Sequence, residues 1–278
     1  MALYFTSINS GSNGNCYYVG NDNKAVLIDV GLTCKEVEKR MDRLGLSIHK
    51  IKAIFISHEH SDHIKGLAVF AKKYHLPVYI STATLKSSRL ILNENNTHPL
   101  NHLQHIQIGG LKISAFSKFH DAADPYSFTV ECNDVRVGIF TDIGSVCDRL
   151  ITHFKNCHAA FLEANYDTQM LQNGSYPYFL KRRIMSGHGH LSNEQALELF
   201  TNHKAPYLSH LLLSHLSKDN NDPELVEKLF KNVAGDTFVK VASRHQETEV
   251  YYVSNSQNPV LTYSFDPGLY QPEQLNLF

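Results

Sequence analysis

Short apolar runs rich in β-branched residues recur along the chain, each too short to be a helix of its own. Ala25-Val26-Leu27-Ile28-Asp29, Ala53-Ile54-Phe55-Ile56-Ser57, Val135-Arg136-Val137-Gly138-Ile139-Phe140 and Leu211-Leu212-Leu213 predict buried or half-buried strands. Helical periodicity lies between them. From Cys34 to Leu44, Val37, Met41 and Leu44 share one side; from Asn193 to Phe200, Ala196, Leu197 and Phe200 do, with Ser192 or Asn193 placed to cap. From about Leu103 to Phe140 strand follows strand, with Gly109-Gly110 and Asn133-Asp134 supplying reversals. Meander segments mixed with β-α units predict an α/β fold of two mixed sheets, packed face to face with helices outside. No repeat, low-complexity tract or linker divides the chain. The strand pattern breaks at Asp266-Pro267-Gly268, so residues 1–265 are expected to form one domain and 266–278 a tail.

Composition bounds the function. With 278 residues, 42% hydrophobic and 19% charged, the chain can bury a core without disulfides or a structural metal, so any metal it binds is expected to serve chemistry. A net charge of -1 argues against coating nucleic acid by bulk electrostatics, though not against a nuclease with a local basic rim. Five cysteines (Cys16, Cys34, Cys132, Cys147 and Cys157) with no C-x-x-C pair argue against a disulfide framework or a zinc ribbon. Reduced thiols, no visible signal peptide and no apolar run near membrane-spanning length lead us to expect a cytoplasmic protein that does not enter a membrane.

The chemistry is concentrated after the strand ending at Ser57. His58-Glu59-His60-Ser61-Asp62-His63 places four strong ligands within six residues. Imidazole nitrogen and carboxylate oxygen are donors that zinc, manganese and iron accept. In a turn, His58 and His60 can converge on one ion while Asp62 and His63 face a second beside it. Two ions at about 3.5–4 Å are the arrangement of two-metal hydrolysis, in which bound water loses a proton near neutral pH.

This H-x-H-x-D-H run resembles the signature of the metallo-β-lactamase superfamily. Other motifs resembling that superfamily's follow in order. They are Asp29-Val30-Gly31, His120-Asp121 after the strand from Leu111 to Phe116, Thr141-Asp142-Ile143-Gly144, and His215 after Leu211-Leu212-Leu213-Ser214. Ser10-Gly11-Ser12-Asn13-Gly14-Asn15-Cys16 near the start resembles the opening of one group, the YycJ/WalJ/VicX-like proteins. Glu163-Ala164-Asn165-Tyr166-Asp167, Tyr176-Pro177, Gly189-His190-Leu191-Ser192-Asn193 and His215 to Asn221 resemble that group's later blocks. The likeness runs over roughly residues 2 to 255 and implies an αββα sandwich.

It also implies roles. His58, His60 and His120 would bind one divalent ion, Asp62, His63 and His215 the other, and Asp142 both. Zinc or manganese is expected, with iron an alternative. Asp29 would orient a ligand or loop. Asp62, Asp142 and His190 are the residues expected in the chemistry. His190 is placed at the substrate because Leu191-Ser192-Asn193 leads into a helix whose first amides either suit a phosphate or are simply capped. His188 and His190 are both rivals of His215 as a ligand. Glu163 is either a carboxylate near the site or a solvated one, and Cys16 a small buried residue.

For the group, the resemblance implies a DNA exonuclease. Lys72-Lys73, Lys181-Arg182-Arg183 and Lys218 are the candidate basic contacts, although short charge runs more often face solvent. The same metals would serve a small-molecule thioester or lactone hydrolase, or a ribonuclease processing RNA ends. The tail bears on this choice. Gln274-Leu275-Asn276-Leu277-Phe278 resembles the Q-L-[SD]-L-F peptide that binds the bacterial DNA polymerase sliding clamp. Gln274 offers an amide fork, and Leu275, Leu277 and Phe278 offer apolar anchors. The expected partners are therefore DNA and the sliding clamp, in replication-linked repair.

Overall fold

A computed structural model describes residues 2–255. The sliding-clamp-like peptide and the expected boundary at residue 265 lie outside the described residues. Two seven-stranded mixed sheets form the body. The first holds β1 (Leu3–Asn9), β2 (Cys16–Gly20), β3 (Ala25–Ile28), β4 (Ile51–Phe55), β5 (Val78–Ile80), β6 (Thr97–Pro99) and β14 (Tyr251–Val253), in the order β14-β1-β2-β3-β4-β5-β6. The second holds β7 (His105–Ile108), β8 (Leu111–Ser117), β9 (Tyr126–Cys132), β10 (Val135–Phe140), β11 (Ala159–Glu163), β12 (His210–Ser214) and β13 (Phe238–Val241), laid out as β13-β12-β11-β10-β9-β8-β7. Each sheet is antiparallel in one half and parallel in the other, β3 to β6 and β10 to β13 being the parallel runs.

Both faces of the central strands are covered, which explains their unbroken apolar runs. In β3, Val26 and Ile28 enter the layer between the sheets, while Ala25 and Leu27 face the outer helices. Phe5, Tyr17 and Phe55 of the first sheet meet Phe161 and Phe128 of the second, with ring centroids 4.9–6.0 Å apart. Each such ring withdraws from water at a gain of roughly 1.5–3 kcal/mol. Helices α1 (Cys34–Arg43) and α3 (Leu67–Tyr74) cover the first sheet. The short α2 (Ser61–Ile64) and α4 (Thr82–Ser88) follow the ends of β4 and β5. The second sheet is covered by α5 (Asp148–Phe154), α8 (Asn193–His203) and α9 (Pro223–Lys231). Between β11 and α8 lie α6 (Thr168–Asn173) and α7 (Tyr178–Ile184). The expected αββα sandwich is the fold observed.

The two predicted reversals lie where expected, and their backbones say why. Gly109 and Gly110 have φ of 53° and 86°, and Asn133 and Asp134 of 48° and 65°, the left-handed pairs a two-residue hairpin requires. The expected run of short turns fails at one place. Residues 118–125 between β8 and β9 form a long connection, which carries His120 into the site. All five cysteines are free thiols. Among the described residues no helix is long and apolar enough to cross a membrane.

Candidate metal centre

The cluster forms where the parallel strands of both sheets end, the crevice at which open α/β sheets bind ligands. Asp29 follows β3, His58 lies three residues past β4, Asp142 follows β10, Glu163 ends β11 and His215 follows β12. Asp29, Asp142 and His215 have φ of 62°, 54° and 56°. This left-handed backbone is uncommon outside glycine and costs roughly 1–3 kcal/mol per residue. It turns the chain sharply at the strand end, and packing of the layers beneath holds it there.

All seven expected ligands are brought together. Single donor atoms of four groups each lie within 4.8 Å of one another: His58, His60 and His120; Asp62, His63 and His215; His58, His63 and Asp142; and Asp142, Glu163, His190 and His215. Asp142 recurs on both sides of the cluster. Its carboxylate is 3.3 Å from His63 Nε2, 3.4 Å from His215 Nε2 and 3.8 Å from His120 Nε2.

The hydrogen bonds fix which ring nitrogens face inward. His63 donates through Nδ1 to Asp29 Oδ2 at 2.7 Å, His120 through Nδ1 to the Gly189 carbonyl at 3.0 Å, and His215 through Nδ1 to Glu163 Oε1 at 3.1 Å. Each Nε2 is then left toward the cluster. Histidines that bind metal are held this way, by a carboxylate or carbonyl on the other nitrogen. Asp29 is itself fixed by Ser57, whose amide and hydroxyl both donate to it at 2.8 Å. It thus orients His63, as expected of it.

Whether these residues fit a metal can be judged from their unmet valence. His120 Nε2 and Asp142 Oδ2 are buried and make no hydrogen bond. Such atoms are costly unless something else satisfies them. Electrostatics point the same way. Burial disfavours charge on His63 and His215, yet the neighbouring carboxylates of Asp142, Asp62 and, respectively, Asp29 and Glu163 outweigh it. His63 is held well above the usual histidine range and His215 is pushed up to about 10. Burial brings His120 down to about 4 and holds His58 well below its ordinary value, which keeps both imidazoles neutral. The cluster attracts positive charge and offers neutral imidazole donors, so divalent cations fit it.

Glu163 resolves the alternative left open by the sequence. It is fully buried and joins His190 Nδ1 at 2.7 Å and His215 while accepting the Ile143 amide at 2.6 Å. Burial raises its carboxyl, but His190 and His215 outweigh burial and bring it down to about 2. His190 is half-buried at the rim, 4.0 Å from Asp142, and its ring stacks on His215. His188 is exposed against Phe119 and stays out of the cluster. The first amides of α8 are closed by a capping box between Ser192 and Gln195, so capping is what those residues do.

Three positioning residues carried no readable signal. Asn15 donates to Asp62 Oδ2 at 3.1 Å and lies 3.0 Å from His63 Nε2. Asn165 holds the His215 carbonyl at 2.7 Å. Lys118 is buried, with Nζ on the Thr141 carbonyl at 2.6 Å; burial lowers its pKa against the pull of Asp142 and Asp29. The first two stand in Asn-containing motifs, but only their distant partners give them a task. The expected basic contacts disperse. Lys73 pairs with Glu38 at 2.8 Å, Lys181 bonds the Gln172 and Gly174 carbonyls, and Arg183 pairs with Asp121. Lys218 lines a cavity of about 640 Å³ with Lys228, Lys240 and Arg244, next to the His215 loop.

The model of the beta-lactamase superfamily domain matches residues 24–215, a stretch that holds every expected ligand. The chain belongs to the beta-lactamase superfamily. Within it the chain is 38% identical over 228 residues to exodeoxyribonuclease YycJ of Bacillus anthracis, spanning 81% of this chain and 86% of that one. It is 33% identical over 233 residues to exodeoxyribonuclease WalJ of Streptococcus pneumoniae, spanning 82% and 87%. These likenesses place this superfamily member in the YycJ/WalJ group. Its architecture matches the crystal structure of the metallo-β-lactamase fold protein YhfI from Bacillus subtilis with a TM-score of 0.71 at 19% identity, covering 91% of this chain and 99% of that one. That likeness shows the fold alone.

Proposed function

We propose that the chain is a two-metal exodeoxyribonuclease that hydrolyses DNA phosphodiester bonds in the cytoplasm. The observation that supports a two-metal site is the pair of donor sets, His58/His60/His120 and Asp62/His63/His215, with the Asp142 carboxylate within 3.3–3.8 Å of His63 and His215 in one and His120 in the other. The names of the relatives, exodeoxyribonucleases at 38% and 33% identity, support the substrate. His58, His60 and His120 would hold one divalent ion, Asp62, His63 and His215 the other, and Asp142 both, with zinc or manganese the best match to mixed imidazole and carboxylate donors. The ions would supply Lewis-acid stabilisation of the phosphate and a water acidified toward neutral pH.

The chain's own residues do the rest. Asp29 and Glu163 keep His63 and His215 in the tautomer that turns Nε2 inward. Asn15 steadies the Asp62 carboxylate. His190, with Nδ1 held by Glu163 at 2.7 Å, keeps its other nitrogen for substrate, where it can pass a proton to the leaving oxygen. Labelled duplex DNA tests the reading. Cleavage should require added manganese or zinc, stop on chelation and return when the metal is restored. An enzyme that binds the metals and leaves both duplex and single-stranded DNA intact would instead belong with thioester or lactone hydrolases.

The tail gives this activity a location. Gln274, Leu275, Leu277 and Phe278 match a clamp-binding peptide, which would bring the enzyme to newly replicated DNA for repair. A linear peptide of that size binds at roughly micromolar affinity. Deleting residues 274–278 should abolish binding to the sliding clamp and leave metal content and hydrolysis of free DNA as they were. Unchanged clamp affinity in the deleted chain would remove the recruitment step.

A further inference from the structure

Beside the metal centre lies a surface that takes no part in holding it. Pro177 caps helix α7, and the helix's first two side chains, Tyr178 and Phe179, are 75% and 73% exposed. Single exposed apolar residues are ordinary, but Tyr178 and Phe179 are the two most exposed aromatic side chains among the described residues, and they fan out from the same helix turn as an open patch. The patch is cationic as well. The Arg182 guanidinium lies over the Tyr178 ring, 5.9 Å from its centroid. Phe179 precedes Arg183 by four residues and so shares its stripe of the helix, and Arg183 reaches Asp121, the neighbour of His120.

The helix is also anchored across the site. Just before it, the Tyr176 hydroxyl donates to Asp219 Oδ2 at 3.0 Å, in the loop that follows His215. At its other end the Ile184 carbonyl accepts the His190 amide at 2.9 Å. Residues 176–184 therefore run from the His215 loop to the His120 and His190 side. The segment that bears the aromatic pair is thus tied at both ends to loops that carry cluster residues.

Rings for base faces, with guanidinium groups for phosphates, are the chemistry that grips an unpaired strand. Closed duplex keeps its bases stacked on one another and offers such rings no face. A purely apolar protein anchor would leave the Arg182 guanidinium without an anion, whereas Arg183 already has Asp121. We propose that Tyr178 and Phe179 form a stacking platform for unpaired nucleotides of the substrate strand, with Arg182 at its phosphates, so that the enzyme takes single-stranded or frayed DNA ends. This rests on the exodeoxyribonuclease reading of the metal centre.

The test uses the full chain loaded with manganese and a short oligodeoxynucleotide carrying 2-aminopurine, whose fluorescence is quenched by stacking. Double substitution Tyr178→Ala and Phe179→Ala should weaken binding of this strand about five- to a hundredfold and raise KM for it in proportion. Tyr178→Trp and Phe179→Trp should keep both the affinity and the quenching. Metal content and melting temperature serve as controls on site and fold. Affinity, quenching and KM unchanged in the double alanine variant would overturn the platform, while DNA cleavage by the wild type would leave the nuclease reading standing. Wild-type affinity in a double leucine variant would also overturn it, marking the patch as an apolar face for a protein. Quenching at the platform in a wild type that cleaves no DNA would keep the platform and sink the nuclease reading.

Discussion

Asp142→Asn should lower DNA hydrolysis by at least ~10³-fold and leave the purified protein short of metal. The physical reason is that the Asp142 carboxylate lies between the two proposed donor sets, 3.3 Å from His63, 3.4 Å from His215 and 3.8 Å from His120. It is 2% exposed, and its Oδ2 makes no hydrogen bond. Asparagine keeps the volume and tolerates the left-handed backbone at φ 54°, so the fold is spared. It removes the negative charge and points an amide donor at atoms that need an acceptor. Asp62→Ala and His63→Ala each remove a donor from one set and should follow in size. Asp29→Asn acts only through His63, and should cost the roughly 10- to 100-fold typical of a residue that steers a ligand. Metal analysis by mass spectrometry, with kcat on labelled DNA, checks the series. A fully metallated, active Asp142→Asn protein would remove Asp142 from the centre.

Gly31→Ala should damage both stability and site, although the residue has no side chain to contribute. A Cβ at Gly31 would overlap the Asp62 carbonyl oxygen and come within 2.5 Å of the Asn15 amide nitrogen. Neither neighbour can swing aside, because both are backbone and hydrogen-bonded. The Asn15 amide donates to the Asp62 carbonyl at 2.6 Å, the Gly31 amide to the Asn15 carbonyl at 2.8 Å, and the Val30 amide to the His63 carbonyl at 2.9 Å. Relieving the overlap means moving the short helix α2 that carries Asp62 and His63. Overpacking of this kind costs about 1–3 kcal/mol or more, a fall in melting temperature of roughly 3–10 °C. A displacement of about 1 Å at the ligands would cost ~10²-fold in rate. Thermal melts and kcat are the measurements, and a variant equal to the wild type in both would show that the loop yields freely.

The same contacts account for the third residue of the Asp29-Val30-Gly31 motif. Asp29 orients His63, and Gly31 lets the short helix α2 bearing Asp62 lie close against the loop bearing Asn15. The two motifs are separate in sequence and interlocked in space. Arg40 of α1 extends the lock, donating to the Ile8 carbonyl at 3.0 Å and to Asn9 Oδ1 at 2.7 Å, so that the strand leading to the Ser10–Asn15 loop is pinned as well.

Periodicity and residue chemistry alone determined a good deal of this protein. Apolar runs such as Ala25 to Ile28 and Val135 to Phe140 were legible as buried or half-buried strands. Gly109-Gly110 and Asn133-Asp134 could turn a hairpin because those residue types accept positive φ. Four ligands in six residues at His58 to His63 announced a metal, since their spacing is local. Tertiary structure decided what depends on partners far away in the chain. Glu163 looked the same in sequence whether solvated or buried, and only the approach of His190 and His215 from distant loops made it part of the centre. Lys118 and Asn165 acquired their roles in the same way. The run Lys181-Arg182-Arg183 read as one basic feature, but a helix sends neighbouring side chains in different directions. One is bound to backbone carbonyls, one lies over Tyr178, and one pairs with Asp121. Which side chain meets which is set by the crossing of two sheets, and no local pattern encodes that.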